Sequence, residues 1–117
     1  VFLFLAPCAS AQHGARDLAP AAFQQAMAEP GVQLVDVRMP AEFASGHLHG
    51  AVNIDWTAKD YEAAFAKLDP KRPVLLYCHG GGRSEQALEH LAAVGYDARH
   101  LEGGITAWKK AGLPVER

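Results

Sequence analysis

The chain has 117 residues, half of them apolar and about a fifth charged, with a formal net charge of −2 at neutral pH. A chain of this length suits one domain and buries about 65% of its unfolded surface, enough for an ordinary core without metal or disulfide staples. The weak negative charge supplies no broad basic surface, which argues against nucleic acid as a partner, and no apolar stretch reaches the ~18 residues of a membrane span.

The first residues form their own pattern. Val1-Phe2-Leu3-Phe4-Leu5-Ala6 is apolar, and Ala9-Ser10-Ala11 then places small residues where a leader peptidase cuts, before Gln12. This matches the tail of a secretory signal peptide, and the competing reading is an N-terminal strand of the domain itself. Leu5-Ala6-Pro7-Cys8 faintly resembles a lipoprotein box, with Pro7 where a small non-proline residue belongs. The expectation is a leader remnant over residues 1–11, one domain over residues 12–117, and export to the periplasm. Cys8 would leave with the leader, so Cys78 would be the one remaining thiol. No internal disulfide, C-x-x-C redox pair or Cys-rich metal site is then expected.

From there strands and helices alternate. An extended piece over residues 15–18 leads to a helix with Pro20 in its first turn and Phe23, Ala26 and Met27 on its buried face, ended by Pro30-Gly31. Residues 32–37 (VQLVDV) read as a strand with Asp36 and Arg38 near its end, where an open α/β sheet has its ligand crevice. A short helix follows from Pro40 to the stop at Gly46, and Arg38 is within reach of Glu42 for an ion pair or a solvated surface contact. His47-Leu48-His49 lacks a third ligand at a recognisable spacing, so no metal is expected. Residues 51–54 form a short strand, and Tyr61, Ala64, Phe65 and Leu68 trace a helix, with Trp56 packed at its start. After the strand at 74–77 come a helix over about 84–94, a strand at 98–101 and a last helix bearing Ile105 and Trp108. His90 and His100 carry no distinguishing pattern. The alternation predicts an α/β fold, with helices on both faces of a largely parallel sheet.

The richest stretch is residues 73–84, PVLLYCHGGGRS. Its apolar run is long enough for a buried strand and too short for a helix. Cys78 then sits where the strand ends, ahead of Gly80-Gly81-Gly82 and the helix opened by Arg83 and Ser84. Backbone N–H groups of a glycine-rich turn converge into an anion nest, the helix dipole adds partial positive charge and Arg83 a full one; all three favour thiolate. Three adjacent glycines cost roughly 0.5–1 kcal/mol each in chain entropy, which points to positive φ and close approach of a ligand to the backbone. The bland alternative is a buried structural cysteine before a turn.

Several segments together resemble the rhodanese (thiosulfate sulfurtransferase-like) domain family. They are Val35-Asp36-Val37-Arg38 with Ala41-Glu42-Phe43 and Gly46-His47-Leu48-His49-Gly50-Ala51-Val52-Asn53-Ile54; the loop C-H-G-G-G-R-S; and Leu101-Glu102-Gly103-Gly104-Ile105 through Trp108 to Ala111-Gly112-Leu113-Pro114-Val115. The resemblance implies a three-layer sandwich around a five-stranded parallel sheet. It also implies Cys78 as nucleophile and persulfide carrier, with His79, Gly80, Gly81, Gly82, Arg83 and Ser84 as the loop whose amides cradle the sulfur. A small sulfur-containing anion or persulfide would be the donor and a thiol or cyanide the acceptor, with no cofactor and a monomeric chain. Asp36 and Arg38 would either brace the loop from the neighbouring strand or serve in packing.

Two loop positions depart from the family pattern. His79 stands where many thiosulfate-using members have Arg or Lys, and Gly80 where a serine hydroxyl is frequent. Both leave the donor open between thiosulfate and a less charged persulfide. Some phosphatases of related fold use a Cys…Arg loop one residue longer; the four residues between Cys78 and Arg83 suit a sulfur atom better than a phosphate. A non-catalytic sulfur carrier or sensor would need the same chemistry at Cys78 and differ only in its acceptor.

Overall fold

The computed structural model describes residues 16–117. The expected leader at 1–11, Cys8 included, and the start of the extended piece at residue 15 lie outside the described residues. In chain order the elements are β1 (Asp17–Leu18), α1 (Pro20–Met27), β2 (Gln33–Asp36), α2 (Pro40–Ser45), β3 (Val52–Asn53), α3 (Tyr61–Phe65), β4 (Val74–Tyr77), α4 (Gly82–Ala93), β5 (Ala98–Leu101) and α5 (Gly104–Lys110). The strands form one sheet in the order β1-β5-β4-β2-β3, and every pairing is parallel. This is the expected α/β sandwich, with β4 at the centre.

The two-residue period of β4 builds both cores. Val74, Leu76 and Cys78 face one side, where Phe65 of α3 and Ala87, Leu88 and Leu91 of α4 cover them. Leu75 and Tyr77 face the other, packed with Phe23 and Ala26 of α1 and Ile105 and Trp108 of α5. All four residues of β4 are fully buried, which is why the run is apolar throughout rather than alternating. Each large aliphatic side chain so buried contributes about 1.5–3 kcal/mol. Phe23 meets Trp108 edge to face at 6.3 Å, and the Trp108 indole N–H donates to the Pro114 carbonyl at 2.8 Å.

The structure adjusts several expected elements. The helix expected to open at Ser84 begins two residues earlier, at Gly82, so Arg83 and Ser84 lie inside its first turn. The helix expected to reach Leu68 is regular only to Phe65, and Leu68 joins the same core cluster as Phe65 from the turn that follows. Phe43 is half-buried, stacked on the His47 ring at 4.0 Å. With His49 at 2.9 Å from Glu116, the two imidazoles of the H-x-H segment engage separate partners. Among the described residues no helix is long and apolar enough to cross a membrane.

Candidate active site

Cys78 follows the last residue of the central strand, at the carboxyl end of the sheet, and is 1% exposed. Its Sγ accepts hydrogen bonds from the N–H of Gly81 at 3.1 Å and of Ser84 at 3.4 Å. Both donors belong to the turn that starts α4, a twelve-residue helix whose N-terminal dipole points at the sulfur. Burial, the largest single influence, pushes the thiol pKa up. The Ser84 hydroxyl and the N–H groups of Ser84, Gly81 and Arg83 together outweigh it, and the thiol lies below its ordinary range.

The three loop glycines do not share one purpose. Gly81 alone has a positive φ, 109°, and a Cβ there would meet the Gly103 nitrogen at 3.3 Å. Gly80 and Gly82 have open space where a side chain would stand. The expectation that all three answer a steric demand therefore holds for Gly81 only. The tighter demand falls on Gly104, the first residue of α5. At φ 65°, its Cβ would lie 2.3 Å from the His79 carbonyl oxygen and 2.7 Å from that of Cys78. Because nothing stands there, the first turn of α5 donates to the loop: Ile105 N–H to the Cys78 carbonyl at 2.9 Å and Thr106 N–H to that of His79 at 3.1 Å. The double glycine opening a helix just past a strand was the available signal.

Charged residues brace the loop differently from the expectation. Arg38 does not pair with Glu42. Its guanidinium bonds both carboxylate oxygens of Asp36, the shortest contact 2.6 Å, and donates to the Gly46 carbonyl at 2.7 Å. Asp36 is fully buried and Arg38 4% exposed, with the guanidinium 5.7 Å from the Tyr77 ring centre. Burial alone would lower the Arg38 pKa; its bonds to Asp36 raise it overall. This pair anchors the start of α2 against β2 rather than touching the cysteine loop.

Glu42 turns to Arg83 instead, in a two-pronged pair at 2.7 and 3.0 Å, while one of its oxygens also accepts the Met39 N–H at 3.1 Å. The Arg83 bond is the chief reason the Glu42 carboxyl is lowered to about 2. Glu42 of α2 thus largely balances the Arg83 charge that was expected to favour the thiolate. His79, by contrast, is exposed at the loop's crest, with its Nε2 3.4 Å from Thr106 Oγ1.

His100, which carried no signal in the sequence, is 4% exposed on β5 and bonded at both ring nitrogens: Nδ1 to Ser84 Oγ and Nε2 to Asp17 Oδ1, each at 2.9 Å. The missed signal is its register. Strand alternation puts His100 on the same face as the buried Ala98, an odd place for a polar ring without a task.

This fold and loop define a class, an α/β sheet domain that presents an amide-held cysteine at the end of its central strand. Residues 19–111 match the Rhodanese-like domain family, and the chain belongs to that family. Among solved structures it is similar to a rhodanese-related protein from Thermoplasma volcanium (TM-score 0.78, 27% identity, 86% of this chain and 97% of that one). It also resembles a rhodanese-like domain protein from Staphylococcus aureus (TM-score 0.73, 28% identity, 87% and 99%). Curated relatives include an uncharacterized protein of Synechocystis (37% identity, 84% of this chain and 54% of that one). Two more are a sulfurtransferase of Allochromatium vinosum (38%, 72% and 78%) and a probable adenylyltransferase/sulfurtransferase of Mycobacterium tuberculosis (42%, 69% and 21%). The chain thus spans about half the length of the Synechocystis relative and about a fifth of the mycobacterial one.

Proposed function

We propose that this chain transfers sulfane sulfur through a persulfide on Cys78. The carrying observation is the sulfur itself, buried at the end of the central strand yet held by the Gly81 and Ser84 N–H groups. The thiolate attacks the outer sulfur of the donor. With thiosulfate, the S–S bond breaks and its electron pair leaves with sulfite, giving Cys78–S–S⁻. The donors that held the thiolate then hold the persulfide. A thiolate or cyanide attacks the terminal sulfur, taking it and returning Cys78 as thiolate, a two-stage pattern that needs no external redox partner. Relatives named sulfurtransferase support this reading.

The donor follows from charge at the loop. Arg83 is balanced by Glu42, and His79 replaces a fixed cation, so a less charged persulfide or polysulfide fits better than dianionic thiosulfate. Intact mass spectrometry after exposure to thiosulfate and to a glutathione-type persulfide tests both points. The parent chain should gain one sulfur atom, Cys78→Ser none, and the persulfide should load faster. His79→Arg should then improve thiosulfate use; no gain would count against the assignment of the donor. Failure of every sulfane donor to load the parent chain would sink the function itself.

A carrier role is the second reading, supported by the match to one fifth of the larger mycobacterial protein, in which such a domain is one part of a longer chain. Steady-state release of thiocyanate from cyanide marks an enzyme, whereas loading once without turnover marks a carrier.

A further inference from the structure

Nothing inside the chain gives a reason for Gly80 and Gly82. Gly81 needs its positive φ and has no room for a side chain, but neither neighbour has a positive φ, and a Cβ on either would meet nothing within 4 Å. Gly82 also opens α4, where alanine is the better helix former. Chain entropy and helix propensity both count against glycine here, so the reason for a bare backbone lies outside the chain.

Both residues line one polar cavity of about 250 Å³ beside the cysteine loop. Gly81 lines it too, and its N–H reaches Cys78 Sγ at 3.1 Å, so cavity and sulfur lie against the same turn. We propose that Gly80 and Gly82 are specificity-determining residues. Their missing side chains keep this cavity open as the seat for the organic group of a small aminothiol while its sulfur reacts at Cys78. Such a seat rests on the sulfur-transfer reading above.

Size and charge set the class. The volume falls just below the range of about 300–1,000 Å³ for drug-sized ligands, which suits a short-chain thiol and not a protein. The remaining wall carries Asp17, Glu85 and Glu102, with no lysine or arginine. His100 engages Asp17, whereas the Glu85 and Glu102 carboxylates have no ion-pair partner among the described residues. An organic group bearing a carboxylate or sulfonate is repelled there, and an ammonium group is drawn in. In the acceptor step the aminothiolate attacks the terminal sulfur of the Cys78 persulfide. A new S–S bond forms to the aminothiol sulfur, the bond to Cys78 breaks, and its electron pair returns to Cys78 as thiolate. No oxidant or reductant enters.

The test starts from the full chain loaded with one sulfur atom, verified by intact mass and freed of donor. Sulfur discharge is then timed with cyanide, with cysteamine and with mercaptoacetate, an anionic thiol of similar size. Cyanide has no organic group to seat, so its rate is the internal reference for each variant. Relative to cyanide, the cysteamine rate should fall about threefold in Gly80→Ala and Gly82→Ala and about tenfold in Gly82→Leu. The loss should show as a higher cysteamine concentration at half-maximal rate. Glu85→Gln combined with Glu102→Gln should cut the preference for cysteamine over mercaptoacetate about fivefold at low ionic strength, fading with added salt. Intrinsic differences between the thiols cancel, since each ratio is compared with the parent's. Glycine variants that slow cyanide and cysteamine in step act through loop geometry, and an unchanged ratio in G82L means an idle cavity; either result overturns the seat. An unchanged preference in the E85Q/E102Q chain overturns the aminothiol as its occupant. Should G82L fail to fold, the G80A and G82A ratios decide. A parent chain that never loads sulfur sinks the sulfur-transfer reading, and the seat falls with it.

Discussion

Gly104 illustrates how much a single missing atom does here. A Cβ at that residue would overlap the His79 backbone, and the flexible end of a side chain is not what it meets. Gly104→Ala should destabilise the chain by about 2–4 kcal/mol, combining the positive-φ penalty with displacement of the loop. Gly80→Ala, with no positive φ and nothing within reach of a Cβ, should stay within about 0.5 kcal/mol. Urea midpoints at unchanged slope measure both. Equal losses for the two variants would contradict this account of the loop. At the same scale, the thiol of Cys78 is held below its ordinary pKa in the folded state. A depressed folded value adds stability that appears as pH rises through it and is complete above the unfolded value. Thiolate absorbance should accordingly rise at lower pH in the native chain than in the urea-unfolded one. What the sequence disclosed at this scale was the thiol and its nest, because strand end, glycines and helix start are local. Gly104 and His100 were hidden because their contacts, His79 and Ser84, come from elsewhere in the chain.

Among the elements, α2 has the most consequence for the loop. Its six residues bury no side chain fully, so it owes its place to charge on both sides. Arg38 and Asp36 fix its start, and Glu42 on its first turn holds Arg83. Breaking the buried pair by Arg38→Met leaves Asp36 without its partner at zero exposure and should cost about 3–5 kcal/mol. Glu42 sets a pH dependence. Its carboxyl, about 2 when folded, lies below the unfolded range, so its stabilisation is present above about pH 4.5 and is lost as pH falls toward 2. Both partners keep about a third of their exposure, so screening holds the contribution to about 1 kcal/mol. Denaturation of the parent chain and Glu42→Gln should converge between pH 4.5 and 2; curves that stay parallel would refute the pairing. The sequence placed helix α2 correctly from Pro40 and Gly46. It did not settle the pairing, since Asp36, Glu42 and Arg83 offered several partners at plausible spacing and only the strand register of β2 on β4 chooses among them.

Taken whole, the fold supports the cysteine loop from two flanks. On one, β1 and β5 bring Asp17 and His100 to Ser84; on the other, β2 and α2 bring Glu42 to Arg83. The strand order puts β4 between them, and the apolar run had marked β4 in the sequence as a buried strand. What alternation alone could not supply was the order of strands. Crossovers of similar length fit several orders, and tertiary packing selects one. The enclosure has an electrostatic consequence for the molecule. With a net charge of −2 and its loop arginine neutralised, the chain has little field to draw in a dianion. Glu42→Gln removes one negative charge and frees Arg83 at the same point. It should raise kcat/KM for thiosulfate by about fivefold, near 1 kcal/mol, at low ionic strength. The gain should fade as salt is added, because exposed charges are screened over about 10 Å at 0.1 M. A neutral polysulfide or alkyl trisulfide should show no such gain. If thiosulfate and the neutral donor respond alike, the variant is acting through loop geometry, and the claim that charge selects the donor falls.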